Sequence, residues 1–271
     1  MGIFTKLFHN ANKINPIKIE KPCFNIYDAV MKVSVVIPAF NEEKLIGACL
    51  ASVRSAFAAA GGGAEHEVIV CDNNSSDATG ALAAARGARV VFEPHNQIAR
   101  ARNRGAAAAG GEWLLFIDAD SALSAETLSE ALGLMRSGRV AGGGALIAFT
   151  PAPPFWGRAL TALVNRLCRL FSLAPGSFLF CRREAFDAAG GFSPRLYAGE
   201  ELALSRALRG WGLARGLGFA IITKAPHYSS GRKFRLYSSR ELLTQAFLFL
   251  LRPLGSAKDP SRLGVFYEGR R

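Results

Sequence analysis

The strongest constraint on the fold is an alternation, from Val33 to Ile117, of short apolar runs with longer stretches of helical periodicity. Val33 to Ile37 is a β-branched run ended by Pro38, and Glu42 to Ala60 then places Leu45, Ile46, Cys49, Leu50 and Val53 at helical spacing. Glycines 61 to 63 end that helix, Glu67 to Cys71 is a second strand, and "DNNSSDATGALAAARG" is a turn feeding a second helix. Val90 to Phe92, Ile98 to Ala109 and Glu112 to Ile117 continue as strand, helix and strand. Such alternation predicts an α/β domain with a mainly parallel sheet and helices on both faces.

Beyond Asp120 the pattern predicts a helix over Ser124 to Arg136, a strand-like stretch over Gly144 to Phe149 and an amphipathic helix over Trp156 to Phe171. A strand over Ser177 to Cys181 and a helix in "GEELALSRALRGWG" follow, then "HYSSGRKF" and an apolar helix around Leu242 to Leu251. Residues 1–30 contain no Arg and are rich in Ile, Lys, Asn and Phe, unlike the Ala-, Arg- and Gly-rich remainder, so they read as an appended or mis-started leader. The core domain is expected over 31–235 and a helical tail over 236–271.

At 271 residues the chain can bury one good-sized core. A net charge of +12 suits nucleic acid, an anionic membrane surface or a phosphorylated substrate. No recognition-helix pattern, zinc-finger spacing or basic-aromatic repeat is present, which leaves phosphate as the attractive partner and argues against nucleic acid. The five cysteines lack a CxxC pair and read as reduced, buried thiols of a cytosolic protein. No apolar stretch approaches the ~20 residues of a membrane span: Phe155 to Ala174 carries Arg158, Arg166 and Arg169. A signal peptide is not indicated.

The three most polar turns, "PAFNEE", "CDNNSSD" and "DADS", each follow a strand and so converge on the sheet edge where α/β folds bind ligands. Asp118 and Asp120, two residues apart as a buried strand runs out, suit a hard divalent cation that also takes substrate phosphates. The competing reading is that they cap the helix starting near Ser124. Asp72 can accept from a nucleobase edge, and Ser75 or Ser76 is the expected helix cap beside it. Of Arg100, Arg102 and Arg104, at least one is expected to face an anion. Glu200 and Glu201 open a helix, either as a general base or as first-turn compensation of the helix dipole. The absence of GxGxxG, GxxxxGK[ST] and GxSxG removes hydride transfer, P-loop and ester-hydrolase chemistry.

In order, "VSVVIPAFNEE", "VIVCDNNSSDAT", "ARARNRGAAAAGGEWLLFIDAD", "FLFCRREAFDAAGGF" and "EELALSRALRGWG" resemble the family 2 glycosyltransferases of the Rossmann-like GT-A fold, over roughly residues 31 to 235. That resemblance implies a nucleotide-diphospho-sugar donor, with UDP favoured, an Mg²⁺ or Mn²⁺ cofactor and transfer with inversion to an acceptor hydroxyl on a sugar, a lipid-linked molecule or a small molecule. It places Pro38, Phe40 and Glu42 in the nucleoside pocket, Asp72 on the base, Arg102 near the ribose or diphosphate, Asp118 near ribose and metal, and Asp120 on the metal. Glu201 is the implied base and Glu200 the fallback, because Glu-Glu stands where the family commonly has Glu-Asp. His227 is a further candidate metal ligand, and Arg232 and Lys233 candidates to grip the diphosphate from a late loop. The expected setting is cytoplasmic, with peripheral contact of the tail at the inner membrane face, in cell-envelope polysaccharide or glycolipid synthesis. The alternatives are a retaining transferase of the same fold and a non-catalytic nucleotide-sugar binding module; oligomeric state stays open.

Overall fold

In a computed structural model, the described residues are 30–61, 64–242 and 244. The leader through residue 29 and most of the apolar helix expected around Leu242 to Leu251 lie outside them. The first half of the chain is a run of strand–helix units: β1 (Met31–Ala39), α1 (Ile46–Ala59), β2 (Ala64–Asp72), α2 (Thr79–Ala85), β3 (Arg89–Phe92), α3 (Ile98–Ala108) and β4 (Trp113–Ile117). The second half comprises β5 (Ser121–Ala122), α4 (Ala125–Arg136), β6 (Val140–Thr150), α5 (Phe155–Phe171), β7 (Phe178–Arg182), α6 (Arg183–Ala188), α7 (Glu200–Leu213), β8 (Gly218–Ser230) and α8 (Lys233–Leu236).

Among the described residues these strands form one eight-stranded sheet in the order β3-β2-β1-β4-β7-β6-β8-β5. β1 to β4 pair in parallel, as do β6 and β8, whereas β7 runs antiparallel to β4 and β6, and β5 to β8. The sheet is thus mostly parallel, and each antiparallel pair includes a strand of the second half. Both faces are covered. Val33, Val35 and Leu115 pack under α1 and α4 with Ile46, Leu50, Leu128 and Leu132. Val36, Leu114 and Phe116 point the other way, onto Ala99, Ala106, Phe186, Leu204 and Leu208 of α3, α6 and α7. Strands buried on both sides read as continuous apolar runs, which is why β1 and β4 are visible in the sequence.

Three local expectations are corrected. The helix expected from Glu42 begins at Ile46, because the Glu42 carbonyl first closes a turn by accepting from the N–H groups of Leu45 (2.9 Å) and Ile46 (2.8 Å). Neither Ser75 nor Ser76 caps α2; Asp77 accepts from Thr79 N at 2.9 Å, and the Ser75 hydroxyl instead accepts from Asn41 N at 3.0 Å. "HYSSGRKF", expected as a late loop, is the end of strand β8 followed by a tight turn into α8. The register of β8 against β6 jumps between Ala145, opposite Ile222, and Ile147, opposite His227. Pro226, which has no N–H for the ladder, lies in that irregularity, and such bulges re-aim the next side chain.

Helix α3 packs against β1 at Gly105, where a Cβ would collide with Val36 Cγ1. Gly105→Ala is therefore expected to destabilise the fold by about 1–3 kcal/mol through overpacking. Gly133 in α4 has open space around its missing Cβ, and Gly133→Ala should instead stabilise by about 0.5–1 kcal/mol. Urea denaturation of the two variants would check the opposite signs.

Candidate active site

The three polar turns converge as the alternation requires. Asn41, after β1, adopts φ 51 and receives Ser76 N on its Oδ1 at 2.8 Å, stitching the first turn to the second. Left-handed backbone at Asn is tolerated because its short amide finds local partners. Pro38 lies buried in β1 opposite Cys71, and Phe40 is half-buried just beyond the strand. Asp72 ends β2 and accepts from Ser75 N at 2.9 Å through Oδ1, which holds its carboxylate at the turn. Asn73 accepts from Gln97 N at 2.9 Å and donates to the Glu93 and His95 carbonyls, tying the start of α3 to this edge.

The third turn carries Asp118 and Asp120, and the capping alternative is excluded: Ser124 Oγ accepts from Thr127 N at 3.1 Å and caps α4. Cys49 Sγ donates to the Asp118 carbonyl at 3.6 Å, and burial, with Asp120 and Asp118 nearby, pushes its thiol up to about 12. Asp118 accepts from Arg102 Nη2 at 2.9 Å. Burial first, then the Asp118 charge, raises the Asp120 carboxyl to about 6 against the opposing pull of Arg232. Arg232 Nη2 stands 3.4 Å from Asp120 Oδ2, and its guanidinium is bidentate to Glu42, with Nη1 to Oε2 at 2.8 Å. Lys233, at the start of α8, adds a favourable charge toward Asp120.

Arg102, expected near the ribose or diphosphate, forms an internal strut next to Asp118. It is only 2% exposed and donates to Glu200 Oε1 (2.8 Å), Asp118 Oδ1 (2.9 Å) and the Gly176 carbonyl (2.8 Å). Burial opposes its charge, and the surrounding Asp118, Glu200 and Glu201 more than offset that. Arg100 and Arg104 are exposed. Glu200 Oε1 is engaged by Arg102, and Glu201 is the next residue of α7. Burial and the Glu200 charge raise its carboxyl to about 8. Glu201 lies against Gly176, where a Cβ would stand 2.8 Å from its Oε1.

His227 is fully buried, its ring 5.1 Å from that of Phe178, and neither ring nitrogen has a hydrogen-bond partner. Burial lowers its pKa to about 4, so the ring is neutral at physiological pH and both nitrogens are orphaned polar atoms. Among the described residues, however, no three His, Cys, Asp or Glu side chains already stand as a metal cage. The set Asp118, Asp120 and His227 is thus not preassembled. Magnesium-type sites usually need only one or two carboxylates, with the substrate's phosphates completing the shell.

The comparisons follow this geometry. The sequence profile of glycosyl transferase family 2 matches residues 34–190, more than half of the chain, and the protein belongs to that family. An uncharacterized glycosyltransferase of Mycobacterium tuberculosis is 35% identical over 106 residues, 39% of this chain and 44% of that protein. Glucosyl-3-phosphoglycerate synthase of Mycolicibacterium smegmatis is 34% identical over 96 residues, 32% of this chain and 30% of its own length. The matched stretch spans less than half of each of these relatives. The glucosyl-3-phosphoglycerate synthase of M. tuberculosis, solved with Mn²⁺, uridine diphosphate and glucosyl-3-phosphoglycerate, superposes with a TM-score of 0.58 at 22% identity, covering 88% of this chain and 87% of that one. S. aureus TarS 1–349 superposes with a TM-score of 0.57 at 19% identity, covering 88% and 70%. At these identities the likeness establishes the GT-A fold.

Two measurements test the charge arrangement. Arg102→Leu leaves Glu200 and Asp118 without their counter-charge and should destabilise the fold by about 3–5 kcal/mol. Glu201, ordinarily near 4.5 and raised to about 8 here, stabilises the folded state fully below its unfolded pKa and loses that contribution as pH rises through 8. The wild type should therefore lose stability relative to Glu201→Gln between pH 4.5 and 8. His227 acts at the acid end in both proteins, so the difference between their urea midpoints isolates Glu201.

Proposed function

We propose that the protein is a metal-dependent glycosyltransferase that moves a sugar, with inversion, from a nucleotide-diphospho-sugar, UDP favoured, to an acceptor hydroxyl. The observation that carries this reading is the meeting of Asp118, Asp120, Glu42 and Arg232 beside the Asp72 turn, at the carboxyl ends of β1, β2 and β4. In open α/β sheets that crevice binds ligands. The family supports the reaction class. Solved glucosyl-3-phosphoglycerate synthases holding Mn²⁺ or Mg²⁺ with uridine diphosphate support the cation and the base.

The residues fit a hard divalent cation. Asp120 is raised to about 6 by burial and by the Asp118 charge despite Arg232, and His227 offers a neutral ring with no competing hydrogen bond. Asp120, Asp118 and His227 would hold Mg²⁺ or Mn²⁺, which supplies neutralisation of the diphosphate leaving group when bound. Pro38, Phe40 and Glu42 would line the nucleoside pocket, with Asp72 accepting from the base. Arg232 and Lys233, beside Asp120, would turn toward the diphosphate as donor arrives.

Glu201 takes the acceptor proton on this reading. A carboxyl near 8 is a far stronger base than an ordinary carboxylate, and the nearby Gly176, without a side chain, leaves its oxygen room. Glu200 is tied to Arg102 and serves to orient the start of α7. With Glu201 as that base, this reading has transfer proceed with inversion rather than retention.

Calorimetric titration of UDP and GDP, with and without Mn²⁺, tests the donor site. One nucleotide should bind in a metal-dependent manner, at least tenfold (about 1.4 kcal/mol) more weakly to Asp120→Ala. Absence of binding to either would overturn the reading. Glu201→Gln should keep that binding and lose turnover, and wild-type turnover should climb as pH approaches 8 and level beyond it.

A further inference from the structure

Helix α5 is attached to the domain by one side only. Its Asn165 side chain accepts from Ile147 N at 3.0 Å and donates to Ile147 O at 2.9 Å, and Gly157 and Cys168 are its buried positions. Trp156 at its first turn packs against Phe234, ring centroids 5.7 Å apart. The opposite side carries large apolar residues in the open: Phe155 is 78% exposed, Leu163 50%, Leu170 69% and Phe171 53%, with Val164 and Leu167 between them. These recur at helical spacing, so they form one stripe along the 17 residues of the helix. A contiguous apolar stripe of this kind on an isolated domain marks a surface that something covers.

Charge says what. Arg158, Arg166 and Arg169 are the charged residues of α5, all exposed, and the helix has no acidic residue. Arg209 of α7 donates to the Phe171 carbonyl and brings a fourth cation to the C-terminal end. The chain from Ala131 to Arg183 contains seven arginines and no Asp or Glu. A protein partner of that stripe would have to be acidic and apolar together, and a second copy would bring the same arginines against these. An anionic bilayer surface supplies acyl chains and negative headgroups side by side. Helices with an apolar face and a basic margin lie in that interface plane, apolar side down. Neither its length nor its arginines suit a span, and among the described residues no helix is long and apolar enough to cross a membrane.

We propose that α5 is a membrane-surface helix that docks the protein in plane on anionic lipid, Phe155, Leu163, Leu167 and Leu170 entering the headgroup region and the arginines engaging phosphate. The proposal does not rest on the transferase reading, and the residues involved are outside the crevice. Co-sedimentation of the full-length protein with phosphatidylcholine vesicles, with and without phosphatidylglycerol, tests it. Binding to the phosphatidylglycerol vesicles is expected to be at least tenfold tighter than to phosphatidylcholine alone and to weaken with added salt. Leu163→Glu/Leu167→Glu should lose it at least tenfold with the urea midpoint unchanged, and Arg158→Gln/Arg166→Gln/Arg169→Gln should lose the lipid-charge preference. Failure to bind either vesicle, or binding that both variants retain, would overturn the proposal. So would a concentration-dependent dimer abolished by Leu163→Glu/Leu167→Glu, which would assign the stripe to a second copy.

Discussion

The arrangement of the crevice depends on one buried cation. Arg102 joins four separate pieces of chain: α3, which carries it, the turn after β4 through Asp118, the start of α7 through Glu200, and the segment before β7 through the Gly176 carbonyl. Removing a guanidinium from water is unfavourable by several kcal/mol, and hydrogen-bonded carboxylates offset this only in good geometry. Here two carboxylates and a carbonyl meet it between 2.8 and 2.9 Å. Its planar fork makes the positions of Asp118 and Glu200 interdependent, which a lysine at the same place would not do.

Burial, opposed by this strut, sets the protonation of a neighbouring carboxyl. Arg102 carries one positive charge against Asp118, Glu200 and Glu201, and at Glu201 burial and the Glu200 charge outweigh its pull. Glu201, one residue beyond the paired Glu200, is the group that retains its proton toward pH 8. A second imbalance lies across the crevice, where Arg232 serves both Glu42 and Asp120 and Asp120 still rises to about 6. Excess carboxylate in a partly desolvated cleft is the condition under which a divalent cation and a tunable base are both favoured.

Much of this was legible from residue order. β1 and β4 are uninterrupted apolar runs because helices cover both their faces, and polar turns after parallel strands must share an edge whatever the loop details. Legibility ended where pairing is long-range. Nothing in the sequence states that Arg102 reaches Glu200, or that Arg232 crosses 190 positions to Glu42. β8 escaped because Lys224, Ala225 and Pro226 interrupt its alternation, and β5, with two residues, has no periodicity to detect. The Asp118–Asp120 pair was recognisable, whereas the burial of His227 follows from the β6–β8 register, which only the folded sheet sets.

The distribution of charge revises the simplest account of a basic protein that handles phosphates. Within the described crevice the guanidiniums are already matched: Arg102 by Asp118 and Glu200, Arg232 by Glu42 and Asp120. The net +12 therefore resides largely outside it, and one concentration is the acid-free stretch from Ala131 to Arg183 that includes α5. The two populations respond differently to ionic strength. Charges on an exposed helix are screened over a Debye length of about 10 Å at 0.1 M salt, while buried pairs hardly sense it. Surface attachment and crevice chemistry can thus be separated by salt alone, because the same residue type is used in water on α5 and out of water at Arg102.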